Sequence, residues 1–414
     1  MAKPGTDGAR KGALRLLAGV REGLSLSDQS LATMPPAEQA RAGRLATEVL
    51  RHRDRADTVL AGYVSRKPVP QVADVLRLAT VEMLALGGAA HGVVDAAVSL
   101  TRGLGKKGQA AAGMVNAVLR KVSQHQGWDA LPVQQMPDWL RGPVVTAYGE
   151  DAAQAIEAAH QAGAPLDLTL KPGVTVEGAE ALPTGSVRLR GSVQVSALPG
   201  FAEGDWWVQD AAAALPVRLL DPQQGERIAD LCAAPGGKTM QLAAAGAQVT
   251  AVDLSAARLK RLAQNLSRCG LTAETVCADA LEWRPSGALD AILLDAPCSA
   301  TGTIRRHPDL PFLRDGSGIA ELVDLQSRLI DHALSLLPSG GRLVYAVCSL
   351  LPDEGEAQLA AALSRHPGLA VETPDLSGIE PGWITPEGGL RLRPDYWANR
   401  GGMDGFFMAR LRRA

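Results

Sequence analysis

Two cysteines, each followed by a serine, are the residues of this sequence best suited to covalent chemistry. The pairs Cys298-Ser299 and Cys348-Ser349 each come at the end of an apolar segment typical of a buried strand. One cysteine in such a place is usually a small buried apolar residue, but two matching pairs at one sheet edge indicate a reactive site. We expect a thiolate there, near helix N-termini and arginines, to have a lowered pKa and to act as a nucleophile.

A glycine-rich loop follows an earlier strand and is suited to hold a small anion. Its residues are Cys232, Ala233, Ala234, Pro235, Gly236, Gly237 and Lys238. The adjacent glycines permit a tight turn into a helix, whose first N–H groups can bind an anion. The glycine spacing excludes a Walker A motif and a dinucleotide fingerprint, so the loop fits a carboxylate-bearing ligand better than a pyrophosphate. Lys238 is either a contact to cofactor or base, or simply the first-turn residue of the helix.

Acidic residues end the neighbouring predicted strands. Asp253 follows Asp230 by 23 residues, the spacing at which an acid accepts hydrogen bonds from ribose hydroxyls. Asp279 ends the third strand, where an adenine could be read, and Asp295 ends the fourth. Each acid alone could equally be a helix N-cap. Together with the glycine-rich loop, they predict a nucleoside ligand that carries a carboxylate, namely S-adenosylmethionine.

The elements that would position these residues alternate between strands and helices from about residue 216 onward. The predicted strands are RIADLCA, QVTAVDL, ETVCADA, LDAILLDAP and GRLVYAVCSL, and the predicted helices begin near residue 238 and cover residues 255–268, about 319–336 and about 354–365. Such repeats imply a parallel sheet with helices on both faces. Ligands of these sheets bind beyond the carboxyl ends of the strands, where the cysteines and acids lie.

Two further regions precede this α/β segment. Residues 1–125 are rich in Ala, Leu and Arg with apolar residues at helical spacing, which predicts an all-helical domain. Residues 126–215 have mixed patterns, with strand-like segments at 165–171 and 186–196, which predict a small α+β connector. The predicted domains are therefore residues 1–125, 126–215 and 216–414.

The charge of the chain is unevenly distributed between these regions. The formal net charge is −2, but residues 1–125 contain 18 Lys and Arg against 10 Asp and Glu. Their balance of +8 stands against −10 for the remainder, which favours a basic face that meets a polyanion. Five arginines of the basic region are clustered, at Arg41, Arg44, Arg51, Arg53 and Arg55. They form either a solvated helix face or a set of phosphate contacts.

The composition excludes several classes of protein. Hydrophobic residues are 46% and charged residues 21%, which excludes wholesale disorder. No apolar run approaches the ~20 residues of a membrane span, and the N-terminal sequence does not have the pattern of a secretory signal. The five cysteines form no CxxC pair, which argues against a disulfide framework or a zinc site. We expect a soluble, cytoplasmic protein that requires no metal.

Four longer motifs carry a family resemblance. The segments DLCAAPGGKT, LDAPCSATGTIRRHPD, LVYAVCSLLPDEGE and GGLRLRPDYWANRGGMDGFFMARL resemble signature motifs of the NOL1/NOP2/Sun family of RNA cytosine-5 methyltransferases. Residues 91–122 resemble the end of the NusB-like domain of its bacterial branch, which acts on 16S rRNA. The resemblance covers nearly the whole chain and implies a Rossmann-like methyltransferase domain with a mixed, mostly parallel sheet, an all-α NusB-like domain and the small connector. Ala300 and Val347 depart from the family, which usually has Gly and Thr there.

The resemblance also implies residue roles and partners. Cys348 would attack carbon 6 of a cytosine, Cys298 would serve product release, and Asp295 would hydrogen-bond the base. The loop from Cys232 to Lys238, with Asp253, Asp279 and Asp295, would bind S-adenosylmethionine. The partner would be 16S rRNA, methylated before the subunit is fully assembled, with RNA contacts from the helical domain and the connector. The protein would be a monomer without a metal or a membrane.

Two other functions remain as alternatives at this point. One is a non-enzymatic RNA-binding factor with a degenerate methyltransferase fold, but both cysteines and the glycine-rich loop are present. The other is a DNA cytosine-5 methyltransferase, which has a single Pro-Cys nucleophile after the fourth strand. The second strand-end cysteine and the basic helical region favour RNA. Arg305, Arg306 and His307 are expected to contact RNA phosphate rather than to transfer protons.

Overall fold

The structure is a computed structural model that describes residues 6–191 and 193–414. These residues form two compact units. The helical unit comprises the described residues up to Arg141 with Ala153–Ala162 and Ile304–Asp315, and the sheet unit comprises Gly142–Ala152, Gly163–Thr303 and Gly316–Ala414. Each compact unit joins segments that are distant in sequence, so the division into two units does not correspond to boundaries at residues 125 and 215. Those domain boundaries stay a prediction.

Residues 6–162 form helices joined by short turns. The helices are α1 (Thr6–Arg21), α2 (Pro36–Arg51), α3 (Arg53–Ala61), α4 (Pro70–Leu84), α5 (Ala90–Arg102), α6 (Lys106–Val122), α7 (Asp138–Tyr148) and α8 (Glu150–Ala162). Pro36 and Pro70 begin their helices, where the N–H that proline lacks would have no partner in any case. The predicted apolar stripe of α4, with Val72, Val75 and Leu76, is buried in the core of the helical unit. The helical prediction for this region is confirmed.

A small antiparallel sheet follows the helices. Its strands are β1 (Leu166–Leu170), β2 (Glu180–Ala181), β3 (Val187–Leu189) and β4 (Trp206–Val208), in the order β2-β3-β1-β4. The expected strand over residues 186–196 was too long, and Ser192 within it lies outside the described residues. β3 ends at Leu189 because Gly191, with φ of 88°, turns the chain away, and Val195–Ala197 forms a 3-10 turn.

The remainder of the sheet unit is built on one large sheet. The strands are β5 (Arg227–Leu231), β6 (Gln248–Asp253), β7 (Glu274–Cys277), β8 (Ala291–Asp295), β9 (Arg342–Val347), β10 (Ala370–Glu372), β11 (Leu390–Leu392) and β12 (Phe406–Arg412), and the helices from residue 211 onward are α9 (Ala211–Leu220), α10 (Gly237–Ala244), α11 (Ala256–Arg268), α12 (Leu310–Leu313), α13 (Ile319–Leu336) and α14 (Glu356–Arg365). All except α12 belong to the sheet unit. The alternation of strands and helices confirms the predicted α/β class.

The strand order explains where a site can form. The sheet runs β10-β12-β9-β8-β5-β6-β7, with β11 also paired to β12. Strands β7, β6, β5, β8 and β9 are parallel, whereas β12 is antiparallel to β9. The chain runs from β5 to β6 and β7 on one side and then crosses to β8 on the other. This reversal opens a crevice at the carboxyl end of β5, the usual ligand position of such sheets.

Candidate active site

The two cysteines predicted to react are brought together by the pairing of β8 with β9. These strands are parallel, with Asp295 opposite Ala346, so the turns that follow them begin at the same level of the sheet. The Gly302 N–H donates to the Cys348 carbonyl oxygen at 3.0 Å, which joins the two turns. The Sγ atoms of Cys298 and Cys348 are 3.4 Å apart. Both thiols therefore face one reaction space.

A buried carboxylate fixes the two turns to each other. Glu354 is fully buried, and its Oε1 accepts hydrogen bonds from the Ser299 N–H and from Gln326 Nε2, each at 2.9 Å. Its Oε2 accepts from the hydroxyls of Ser299 and Ser349, each at 2.5 Å. A buried donor without an acceptor is costly, so this network fixes the serine that follows each cysteine. Glu354 was not among the predicted site residues, because the sequence does not distinguish it from the exposed Asp353 beside it.

Close backbone packing selects the small residues of the turn after β8. A Cβ on Gly302 would lie 1.9 Å from the Gly405 carbonyl oxygen, and the Gly405 N–H donates to the Gly302 oxygen at 2.8 Å. Ala300 has φ of 57°, in the left-handed region that favours glycine. The alanine at this position therefore keeps the backbone of a glycine turn at a cost of roughly 1 kcal/mol.

The ionisation of Cys298 differs from the expectation. The hydrogen-bonding contact with Cys348, and then burial, raise the pKa of Cys298 well above its usual value. The lowered pKa expected for a strand-end cysteine is wrong for Cys298, because its closest polar neighbour is a second thiol rather than a helix N-terminus or an arginine. Cys298 therefore keeps its proton at neutral pH.

A lysine and an aspartate form an ion pair beside the thiols. Lys238, in the first turn of α10, donates from Nζ to Asp295 Oδ2 at 2.7 Å. Burial alone would lower the pKa of Lys238, but the charge and hydrogen bond of Asp295, with a contribution from Cys348, raise it. The Asp295 side chain is 32% exposed, so part of its carboxylate is accessible to a substrate. The pair therefore places a fixed ammonium group beside a carboxylate that can still accept a hydrogen bond from a substrate.

The glycine-rich loop enters α10 through a constrained turn. Gly236 has φ of 101°, and a Cβ there would lie 2.7 Å from the Leu262 side chain, so the position requires glycine. Asp253 ends β6 and accepts from the Ala234 N–H at 3.0 Å and from the Ser255 N–H at 2.9 Å. Its carboxylate thus holds the loop while lying at the carboxyl edge of the sheet. A carboxylate can accept further hydrogen bonds there, including those of ribose hydroxyls.

A second buried acid lies at the end of β5. Asp230 Oδ2 accepts from the Thr239 hydroxyl at 2.5 Å, and Oδ1 has no hydrogen-bond partner within the described part of the chain. Burial, and then the charges of Asp295 and Asp253, raise the pKa of Asp230 to about 7 against the lowering effect of Thr239. An unpaired buried oxygen next to a helix N-terminus fits a ligand with both donor and carboxylate groups, as S-adenosylmethionine has.

The remaining residues predicted to bind the cofactor are described by their backbone conformation, burial and local hydrogen bonds. Cys232 has φ of 63°, and burial, with Asp295 and Asp253 adding, raises its pKa to about 12, so it is an inert thiol. Ala233 and Ala234 are buried, while Pro235 is exposed. Asp279 is exposed and accepts from the Leu281 N–H at 2.9 Å. Its predicted contact to adenine stays a prediction.

The basic segment after the Cys298 turn differs from its expected role. Arg305 is fully buried in the helical unit, and its carbonyl oxygen accepts from Arg51 Nη2 at 3.0 Å. The expected phosphate contact is therefore wrong for Arg305, because its side chain lies inside the unit. Arg306 is exposed and His307 is partly exposed, so both could meet RNA.

Residues 6–191 and 193–414 contain neither a membrane-spanning helix nor a cluster of metal-ligating side chains. No helix in these ranges combines the length and apolar character needed to cross a bilayer. These ranges also contain no group of three or more His, Cys, Asp or Glu arranged to hold a metal ion.

Comparisons with known proteins agree with this architecture. The family described as 16S rRNA methyltransferase RsmB/F matches residues 217–412, and the NusB family matches residues 7–124. A ribosomal RNA small subunit methyltransferase B of Vibrio cholerae serotype O1 is 38% identical over 347 residues, which are 78% of this chain and 76% of that protein. One of Salmonella arizonae is 50% identical over 201 residues, 47% of each chain.

Solved structures share the fold. PH0851 superposes with a TM-score of 0.75 at 23% identity, covering 97% of this chain and 98% of that one. A methyltransferase homologue from Pyrococcus horikoshii has a TM-score of 0.57 at 29% identity, covering 66% of this chain and 94% of that one. The expected methyltransferase fold with a NusB-like domain is confirmed, as is S-adenosylmethionine as the cofactor of this class. The chain belongs to the RsmB/F family of 16S rRNA methyltransferases and carries a NusB domain at its N-terminal side.

Proposed function

We propose that this protein methylates carbon 5 of a cytosine in 16S rRNA through a covalent bond between Cys348 and carbon 6. The observation that carries the proposal is the pair of thiols 3.4 Å apart, next to the Lys238–Asp295 ion pair. A methyltransferase that acts on nitrogen or oxygen needs no second thiol. The names of the relatives, ribosomal RNA small subunit methyltransferase B, support the small-subunit rRNA as substrate.

Carbon 5 of cytosine is too electron-poor to attack the methyl sulfonium of the cofactor. A nucleophile must therefore first add to carbon 6. When Cys348 adds to carbon 6, the C5–C6 π electrons become available at carbon 5, which can then take the methyl group. S-adenosylmethionine supplies that methyl group when bound at the glycine-rich loop. Loss of the proton from carbon 5 reforms the double bond and expels the Cys348 thiolate. The enzyme is thereby regenerated.

We assign different steps of this reaction to the two thiols. The raised pKa of Cys298 keeps its proton on sulfur, which suits it to a later step than the attack, and we assign the attack to the neighbouring Cys348, as the family resemblance implies. Once the Cys348 sulfur is bonded to carbon 6, the contact that contributes most to the raised pKa of Cys298 is lost. Cys298 can then lose its thiol proton to solvent, and the resulting thiolate accepts the proton from carbon 5, so Cys298 ends the cycle protonated, as it began. Formation of the adduct thus prepares the base that resolves it.

The Lys238–Asp295 ion pair has two roles, one toward the cytosine base and one toward the attacking sulfur. The exposed part of the Asp295 carboxylate is suited to the Watson–Crick edge of cytosine, where it favours a proton on N3 and draws electrons from carbon 6. Lys238 orients this carboxylate and provides positive charge near the attacking sulfur. We expect Asp253 and the loop residues Cys232 to Lys238 to hold the cofactor, and Asp279 to read its adenine.

The substrate must offer an unstacked cytosine, since these groups lie at the edge of a sheet and not in a groove. The target is therefore a loop nucleotide or one flipped out of a helix. We expect it to be more accessible in free 16S rRNA than in an assembled subunit, and we expect the protein to act as a monomer.

The test is methylation of unmodified 16S rRNA by the full chain with S-adenosylmethionine, read by bisulfite sequencing. One cytosine should become resistant to conversion, more completely in free rRNA than in assembled subunits, and duplex DNA should stay unmethylated. Cys348→Ala is the matched control and should leave every cytosine convertible. A methyl group found on any other atom of the RNA, with no bisulfite-resistant cytosine, would refute the proposal.

A further inference from the structure

The helical unit contains a cavity of about 620 Å³ that the methyl-transfer chemistry does not use. Its floor is apolar and formed by core residues, among them Leu17, Val20, Val49 and Leu50, all buried. Its volume lies in the ~300–1,000 Å³ range of sites that hold a small molecule or one segment of a polymer. The feature is therefore large enough for a ligand group and is not a packing defect.

One wall of the cavity is a flat aromatic and cationic surface. The Phe312 ring lines the cavity, and the guanidinium carbon of Arg53 lies 4.8 Å from the centre of that ring. Both side chains are partly exposed. Aromatic rings and guanidinium planes are the surfaces on which unstacked bases of single-stranded RNA stack.

The rim of the cavity carries four cationic side chains and one carboxylate, Asp74. Arg77 pairs with Asp57 at 2.6 Å and with Asp74 at 3.3 Å, and Arg21 also pairs with Asp74. Arg53 and Lys67, by contrast, have no carboxylate within ion-pair distance in the described part of the chain. Burial, and then the charge of Arg77, lower the pKa of Arg53, while the charges of Asp57, Asp74 and Asp54 act in the opposite sense. Because Arg53 and Lys67 lie at the cavity without an ion pair among the described residues, both are available to an anion.

A second cavity of about 470 Å³ continues this surface within the same unit. The two cavities share Val69 and Pro70 as a common wall. Lys106 and Lys107, both exposed in the first turn of α6, line the second cavity. A path of positive charge therefore extends beyond the aromatic wall, in the direction that further phosphates of a strand could follow.

We propose that the first cavity binds one unstacked nucleotide of single-stranded RNA, with its base on the Phe312–Arg53 surface and its phosphate at Lys67. Neighbouring phosphates contact Lys106 and Lys107. The inference rests on the proposed function in so far as the RNA is the 16S rRNA substrate. An acidic peptide would use the same positive charges, but it has no flat group that matches the aromatic wall, so RNA is the occupant that the geometry favours.

The test measures binding of the full chain to fluorescent oligouridylate of eight nucleotides over a range of salt concentrations. Phe312→Leu keeps an apolar side chain but removes the ring, and should weaken binding about 5- to 50-fold without changing the salt dependence. Lys67→Gln should weaken binding and reduce the slope of log affinity against log salt by about 0.7, because one phosphate contact is lost. The two variants therefore fail in different ways.

Matched controls separate this site from general electrostatic attraction. Lys121, exposed at the other end of α6 and absent from both cavities, is the control, and Lys121→Gln should change binding less than either variant. An octapeptide of glutamate is the competing probe, and Phe312→Leu should leave its binding unchanged. Loss of peptide binding alone in Phe312→Leu would assign the cavity to an acidic protein partner and overturn the inference.

The outcome is independent of whether the chemistry is as proposed. Lys67 is exposed, so its variant should keep the wild-type thermal midpoint and tests the inference even if Phe312→Leu is destabilised. Wild-type affinity and salt slope in both variants, with normal rRNA methylation, would overturn the nucleotide site alone. Absence of cytosine methylation in wild type, with the predicted binding losses intact, would instead overturn the proposed function and leave this site standing.

Discussion

The helical unit and the carboxyl edge of the large sheet use charged groups in opposite ways. Around the helical cavity, Arg53 and Lys67 are partly or fully exposed and form no ion pair with any residue that the structure describes. At the sheet edge, Glu354 is fully buried, Lys238 is largely buried and ion-paired, and the reactive sulfurs touch each other. Exposed charge attracts a polyanion and is screened by salt, whereas buried charge is screened much less and acts strongly on the groups close to it.

This difference predicts how substitutions should behave in each region. Changes in the helical unit should alter RNA affinity and its salt dependence and leave the rate on saturating RNA unchanged. Changes at the sheet edge should alter that rate, or the fate of the covalent adduct, with little effect on RNA affinity. Of the four predictions below, given from the largest expected effect to the smallest, the first two test this separation, the third concerns cofactor affinity at the sheet edge, and the fourth concerns a buried group of the helical unit.

The largest effect is expected at the two thiols, which should fail differently. Cys348→Ala removes the nucleophile, so neither methyl transfer nor an RNA adduct should form. Cys298→Ala leaves addition and methylation in place but removes the base that resolves the adduct, so a protein–RNA complex should accumulate. Denaturing electrophoresis of each variant with labelled rRNA and S-adenosylmethionine measures the adduct.

Two results would contradict this assignment. An adduct with Cys348→Ala and none with Cys298→Ala would exchange the roles of the two residues. Unimpaired methylation by both variants, without any adduct, would end the covalent mechanism. RNA affinity should be unchanged in both variants, because neither sulfur is part of the positively charged surface.

The next effect is expected at Glu354, which we propose as a positioning residue for the thiols. Glu354→Ala removes the acceptor of three hydrogen bonds from the Cys-Ser turns and one from Gln326, and should lower the rate on saturating RNA about 100-fold, as an ~1 Å displacement does. Glu354→Gln should cost less, because the serine hydroxyls can rotate to accept from its amide. Single-turnover methylation measures the rate, and RNA affinity should stay constant.

The neighbouring acid provides the control for this prediction. Asp353 is exposed, so Asp353→Asn should retain the wild-type rate. A Glu354→Ala variant that loses RNA affinity but keeps its rate would contradict a positioning role. A thermal midpoint measured for each variant distinguishes a slow folded enzyme from a destabilised one.

The sequence predicted those parts of the molecule that depend on local pattern. The apolar repeats of α4 and the alternation of β5 to β9 with helices follow from hydrophobic periodicity, and that is why the α/β and helical regions were recognised. The glycine-rich loop and the two Cys-Ser pairs lie at strand ends, and parallel strands bring such ends together. Local pattern was therefore sufficient to assemble the site in outline.

What depends on contacts between distant residues was not predicted. Nothing in the segment LLPDEGE distinguishes the buried Glu354 from the exposed Asp353, because burial is set by Ser299 and Gln326, which are far away in sequence. The same reason explains the error at Arg305, whose basic motif indicated phosphate contact while its side chain is buried. The raised pKa of Cys298 likewise depends on Cys348, 50 residues further on.

An intermediate effect is expected at Asp253, on cofactor affinity rather than on chemistry. Asp253→Ala removes a buried carboxylate that holds the loop at Ala234 and is proposed to accept from ribose. The loss should be roughly 1.5–3 kcal/mol, or about 10- to 150-fold in the dissociation constant of S-adenosylmethionine. Calorimetric titration measures it, with Glu282→Gln, an exposed acid of the same unit, as control. Wild-type affinity in Asp253→Ala would remove this residue from the cofactor site.

The smallest effect is expected at His160, a buried group of the helical unit that lies outside its cavity. Burial, and then the charges of Arg305 and Arg51, lower the pKa of His160 to about 3 from its usual value of 6.5, and its Nε2 has no partner within the described residues. Between these values the unfolded chain binds a proton that the folded chain does not, so stability is full above pH 6.5 and falls as the pH decreases. Wild type should lose about 2 kcal/mol from this residue between pH 6.5 and about pH 5, and His160→Gln should lose none of it. Denaturant unfolding at about pH 8 and about pH 5 measures the difference, with the exposed His91→Gln as control. An equal pH dependence in wild type and His160→Gln would contradict the lowered pKa of His160.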